Sequence, residues 1–210
     1  MSKLSWVGWT VAGLFCLQVG LSSLAYLMPG FSGPPFVMHN PFAYPWLMLH
    51  AGFGAVALLI GLVQLLPGLR ARWRPAHRWL GRVYIVSALV SGFAGLFIAV
   101  GATAGPVATA GFASAAMISM MCAAQAWRMA ATRRFDAHRE WVIRSYALIF
   151  GAVTLRIWLP LSQIAHFDFM DSYRVISFLG WVPNLIVAEL YLALGRPAAS
   201  PPVAAVGAVP

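Results

Sequence analysis

Histidine and arginine carry most of the chemistry this sequence offers. The stretch Arg72-Trp73-Arg74-Pro75-Ala76-His77-Arg78-Trp79-Leu80-Gly81-Arg82-Val83-Tyr84 returns in altered form as Arg133-Arg134-Phe135-Asp136-Ala137-His138-Arg139-Glu140-Trp141-Val142-Ile143-Arg144-Ser145-Tyr146. Each copy holds Ala-His-Arg, then an arginine, then a tyrosine two residues on, and each lies between long apolar runs. Two neutral imidazoles on facing helices, His77 and His138, would ligate the iron of a b-type haem, with Arg82 and Arg144 beside its propionates. At helix starts the same groups suit an anionic lipid headgroup, a phosphate or a quinone carbonyl. The plainer alternative is a set of interfacial anchors whose stems lie on apolar surface while their charged heads reach water. Arg82 lies beyond His77 along one helix, which places His77 near the headgroups and shallow for an axial ligand.

A second pair, His50 and Arg156, falls inside apolar runs. His50 is four residues beyond Trp46 and Arg156 four residues before Pro160, so both sit about 6 Å below one membrane boundary at 1.5 Å per residue. Ionisable groups inside a span are functional candidates. If the two line one cavity, Gly52 and Gly54 let neighbouring helices approach, and a neutral His50 accepts a hydrogen bond from a quinol hydroxyl or ligates a metal. The alternative pairs Arg156 with Asp168, Asp171 or a helix-end carbonyl, while His50 merely packs. Glu189 reads as an ion-pair partner for Arg82 or Arg144, because a buried carboxylate needs one; a proton relay is the sharper alternative.

The elements that position these groups are set by hydropathy. The hydrophobic fraction is 61% and the charged fraction 9%, outside the soluble range. Runs of about 20 apolar residues cross a hydrocarbon core of about 30 Å as helices. There are six: Trp6–Leu27, Trp46–Leu66, Leu80–Val100, Val107–Arg128, Trp141–Leu159 and Val175–Leu194. Period-2 alternation, the mark of a barrel, is absent. The net charge of +9 does not point to nucleic acid, because ten of the 14 basic residues cluster in or beside the two His-Arg stretches. Short arginine-rich loops mark the cytoplasmic side, which places both termini in the cytoplasm and the segments 31–45, 101–105 and 162–172 outside. The first run carries no evidently chemical side chain and reads as an uncleaved helix, not a signal peptide. Cys16 and Cys122 lie within runs and read as inert packing residues, with no disulfide. Residues 1–195 read as one six-helix domain, and 196–210, rich in Pro, Ala and Val, as a disordered cytoplasmic tail.

Aligning His77 with His138 also matches Gln64 with Gln125 and Arg72 with Arg133. After one inserted residue it matches Arg82 with Arg144 and Tyr84 with Tyr146. The repeat units run from about 46 to 106 and from 107 to 168, and make spans 2–5 a duplicated helical hairpin. Repeats in transporters often place a site at their interface. His50 and Arg156 break the repeat, being matched by Gly111 and Ala94. One inserted residue turns a helix by about 100°. Either span 5 starts irregularly, or His77 and His138 play different roles.

Three segments carry a resemblance. These are His50 with Ala57-Leu58-Leu59-Ile60-Gly61-Leu62-Val63-Gln64, the run His77–Tyr84, and His138–Tyr146 with Arg156 beyond. On them the chain resembles the bacterial membrane family called domain of unknown function 2306. That resemblance implies a helical membrane fold and no particular activity. Its bundle with histidines on facing helices is similar, more loosely, to the two-haem cytochrome b561 group. No Walker loop, zincin motif or Rossmann fingerprint is present. The expectation is an all-α, polytopic protein in a lipid bilayer. Its leading function is a membrane redox role with haem b or a quinone held in spans 2–5 by His77, His138, Arg82, Arg144, His50 and Arg156. No metal is expected beyond that haem iron. The competing class is a non-redox transporter or an assembly partner of a larger complex.

Overall fold

The computed structural model describes residues 3–195 other than 29 and 32. The tail 196–210 therefore lies outside the described residues. Among the described residues ten α-helices run in order: α1 Lys3–Leu24, α2 Pro35–Met38, α3 Trp46–Gln64, α4 Pro67–Arg72, α5 Arg74–Val100, α6 Pro106–Ala131, α7 Phe135–Ile149, α8 Gly151–Ile164, α9 Phe169–Leu179 and α10 Val182–Leu194. They make six membrane-length spans: Val7–Leu27, α3, α5, α6, Phe135–Ile164 and Phe169–Leu194. Among the described residues there is no strand. The connections α3–α5 and α6–α7 lie at one end of the bundle and, together with the helix ends beside them, hold most of the arginines. We call this the arginine end, and the opposite one the far end.

Local sequence explains where helices start and stop. Pro75 and Pro106 stand in the first turns of α5 and α6, where a missing N–H costs nothing. α6 ends with Arg133 at φ 59° and Arg134 N–H donating to Met129 O at 2.8 Å, the six-to-one closure of a left-handed helix cap. Asp168 starts α9 by accepting from Asp171 N–H at 2.9 Å, an N-cap. In span 6, Pro183 cannot donate to Leu179 O and its ring crowds that carbonyl, so the span breaks at Gly180 and Trp181. Span 5 breaks at nearly the same depth, at Phe150.

Packing runs round a ring, α3 on α5, α5 on α6, α6 on α7, and α7 back on α3, with α1 against α3 and α10 against α7. Small side chains let the backbones approach: Ala57, Ala88, Ala123 and Ala126 are all fully buried. Gly61 is a close approach inside the ring. A Cβ there would overlap Cδ2 and Cε2 of Tyr146 and come to 2.9 Å from Cε2 of Tyr84. Past the breaks the arrangement changes. α8 leaves the ring and packs on α9 and α1, while α9 takes the place beside α6.

That crossing point is fastened by polar groups, as a break inside a membrane requires. Thr154 Oγ1 donates to Gly180 O, and Asn184 Nδ2 donates to the same carbonyl at 3.2 Å and to Thr154 Oγ1 at 3.1 Å. Gly151 meets the Gly180 carbonyl directly.

Candidate functional site

His50 sits on a stripe of α3 with Gly54, Ala57 and Gly61. Gly54 faces Ser91 of α5, and Gly61 faces Tyr84 and Tyr146, so the stripe looks into the bundle. Toward the arginine end it is sealed: Ala57 is 0% exposed and Gly61 is buried. Gly54 is half-buried, and His50, nearest the far end, is exposed. His50 is therefore the accessible end of this stripe.

The ring is held by α5. His50 Nδ1 lies 2.9 Å from Ser91 O, and Ser91 Oγ donates to His50 O at 2.9 Å. A carbonyl only accepts, so Nδ1 carries the proton, and in the neutral imidazole Nε2 keeps its lone pair. Gly95 makes room: a Cβ there would stand 3.1 Å from Nδ1.

Arg156, on α8, is half-buried. Its Nη2 donates to Ser23 Oγ at 2.9 Å and its Nη1 to Ala152 O at 3.1 Å. The carboxylates suggested for it are elsewhere, Asp171 with Arg174 at 2.6 Å and Asp168 at its helix cap. Arg156 therefore has two neutral acceptors and no carboxylate among the described residues, within electrostatic range of the His50 ring and the Tyr26 hydroxyl. The two side chains do not bond each other: His50 is tied to α5, and Arg156 to α1.

At the arginine end the four other candidates separate. Arg144 forms a two-pronged pair with Glu189, 2.6 and 3.0 Å, reaches Glu140 at 3.4 Å, and lies 4.9 Å over the Trp141 ring. Arg82 stacks on Trp79 at 4.8 Å. His138 Nδ1 lies 2.8 Å from Ala126 O, whereas the contribution of His77 includes its carbonyl, which accepts from Gln64 Nε2 at 2.8 Å. α7 is regular from Phe135 onward, so span 5 does not start irregularly, and the two histidines have different settings. Among the described residues no group of three or more His, Cys, Asp or Glu side chains could hold a metal ion.

Sequence reading missed the polar pairs of the core. Tyr84 OH meets Ser145 Oγ at 2.8 Å, and Tyr146 OH donates to Leu58 O at 3.2 Å with Cys16 Sγ at 3.4 Å. Span 1 is not chemically silent, since it supplies Cys16 and Ser23. The available signal was Ser145-Tyr146 following Arg144, a polar pair within an apolar run.

An all-helical bundle with six apolar spans defines a polytopic membrane protein. The chain belongs to the family described as "Predicted membrane protein (DUF2306)", which matches residues 47–192. That match runs from span 2 into span 6 and leaves α1 outside it. No curated protein and no solved structure matches the chain.

Proposed function

We propose that this protein binds a quinone-type headgroup at the far end, beside His50 and Arg156. His50 Nε2 accepts from a ring hydroxyl, and Arg156 donates to a ring oxygen. The observation that carries the reading is His50 itself, exposed on an otherwise sealed stripe with Nδ1 fixed on Ser91 O. Arg156, lacking a carboxylate, supplies the complementary donor. An acceptor and a donor at one depth match a molecule that offers both a hydroxyl and a carbonyl. An apolar groove of about 500 Å³ lies nearby, lined by Leu24, Leu27, Met48, Gly52, Phe53 and Val56, which suits an amphipathic ligand arriving from the bilayer.

Packing favours quinone over haem b. Ala88 and Ala126 are fully buried, and Tyr84 joins Ser145 across α5 and α7, so the helices pack closely inward of His77 and His138. In this reading those histidines, with Arg82 and Arg144, are headgroup and structural contacts at the cytoplasmic face of an inner membrane, with both termini on that side.

The test is equilibrium binding of a short-tailed labelled quinol to the full chain in nanodiscs. Saturable binding that is lost in both His50→Ala and Arg156→Gln supports the reading. Absence of saturable binding, or binding unchanged in both variants, refutes it. A second reading is favoured by the paired breaks in spans 5 and 6, since discontinuous spans are common in transporters. Uptake of small anions by proteoliposomes that depends on Arg156, in a protein that binds no quinol, would select that reading.

A further inference from the structure

At the arginine end, six cations are exposed and have no side-chain partner among the described residues: Arg72, Arg74, Arg78, Arg128, Arg133 and Arg134. Carboxylates are few at this end. Glu189 and Glu140 pair with Arg144, and Asp136 is a single exposed charge. Trp73, Trp79 and Phe135 stand among these arginines, 66%, 65% and 64% exposed. Exposed aromatics of this kind sit at headgroup depth, so the arginines are level with lipid phosphates.

The choice of residue is informative. Lysine and arginine serve topology equally, yet the one lysine of the chain is Lys3 and the cations of both turns are all arginine. A guanidinium presents a planar fork that binds phosphate through two parallel hydrogen bonds, which an ammonium cannot do. We propose that the two turns together form a docking surface for the phosphates of anionic phospholipids, whose phosphates accept these forks while the aromatic side chains pack beside the upper acyl chains. Zwitterionic lipids are poorer partners, because their own ammonium groups compete for the phosphate. The surface is separate from the far-end pair His50 and Arg156.

The experiment is native mass spectrometry of the detergent-purified full chain, titrated with phosphatidylglycerol or phosphatidylcholine. Two variants are compared with the parent, R72K/R74K/R133K/R134K and the same four positions as glutamine. All four side chains are exposed, so the core is untouched, and circular dichroism checks the helix content. The parent is expected to retain phosphatidylglycerol preferentially. The lysine variant, with unchanged charge, should lose several-fold of that preference, and the glutamine variant nearly all of it. A lysine variant equal to the parent would show diffuse charge without fork recognition and overturn the proposal. So would a parent with no preference, or displacement of the lipid by millimolar inorganic phosphate, which would point to a soluble ligand.

Discussion

Replacing Gly61 by alanine tests the packing from which the rest of the bundle is argued. The added methyl would overlap two ring carbons of Tyr146 and stand 2.9 Å from Cε2 of Tyr84. Ordinary carbon contacts need about 3.5–4.0 Å, so both rings must withdraw by about 1 Å. Neither is free to do so: they are 7% and 3% exposed, and their hydroxyls are tied to Leu58 O, Cys16 and Ser145. Overpacking of this kind costs about 1–3 kcal/mol, and a strained or broken hydroxyl contact adds about 1 kcal/mol. Gly61→Ala should therefore destabilise the protein by about 2–4 kcal/mol. Unfolding in mixed micelles, followed by circular dichroism as SDS is raised, reads this directly. Tyr146→Leu removes most of the obstructing ring, so Gly61→Ala should cost markedly less in that background, a coupling expected of touching residues. A Gly61→Ala protein within about 0.5 kcal/mol of the parent would refute the close approach of α3 to α5 and α7, since that is the range of neutral surface changes.

Other outcomes follow from single contacts. Glu189→Gln leaves Arg144 with Glu140 and the Trp141 ring. Because Glu189 is half exposed, the loss should be only about 1 kcal/mol and should shrink in 1 M salt, read as the change in melting temperature. Thr154→Val removes the hydroxyl between Gly180 O and Asn184; hydrogen exchange should rise selectively around residues 176–184, with the α3–α5 contact unaffected. Ser23→Ala strips Arg156 of its α1 partner and should weaken quinol binding less than Arg156→Gln does, because the guanidinium remains. For orientation, a cysteine at position 39 should react with an impermeant reagent added outside intact cells and one at 135 should not; the reverse would invert the topology.

The six spans were legible because each is a near-continuous apolar run, and in a membrane such a run has one stable conformation. The Arg144–Glu189 pair was legible in part: few carboxylates lie within the apolar runs, and Arg144 was one of two arginines at a matching depth. The partners of His50 and Arg156 were not. Ser91 and Ser23 are ordinary helix serines until tertiary packing sets them beside a ring nitrogen or a guanidinium, and no periodicity announces that. The departure of α8 from the ring was equally hidden. Pro183 signals the break in span 6, but the matching break beside Gly151 depends on which helix lies against it.

The paired breaks bear on how the chain enters the membrane. α8 has 14 residues and α9 has 11, so at 1.5 Å per residue they extend only about 21 and 16 Å, short of a bilayer core of about 30 Å. Neither half can be inserted by itself; each depends on α7 or α10 to complete a span. In span 5 alone the Thr154 hydroxyl already has an acceptor, Gly151 O at 3.2 Å, and the Gly180 carbonyl becomes its second partner when span 6 packs beside it. The two breaks therefore close on each other only once both spans are in the membrane.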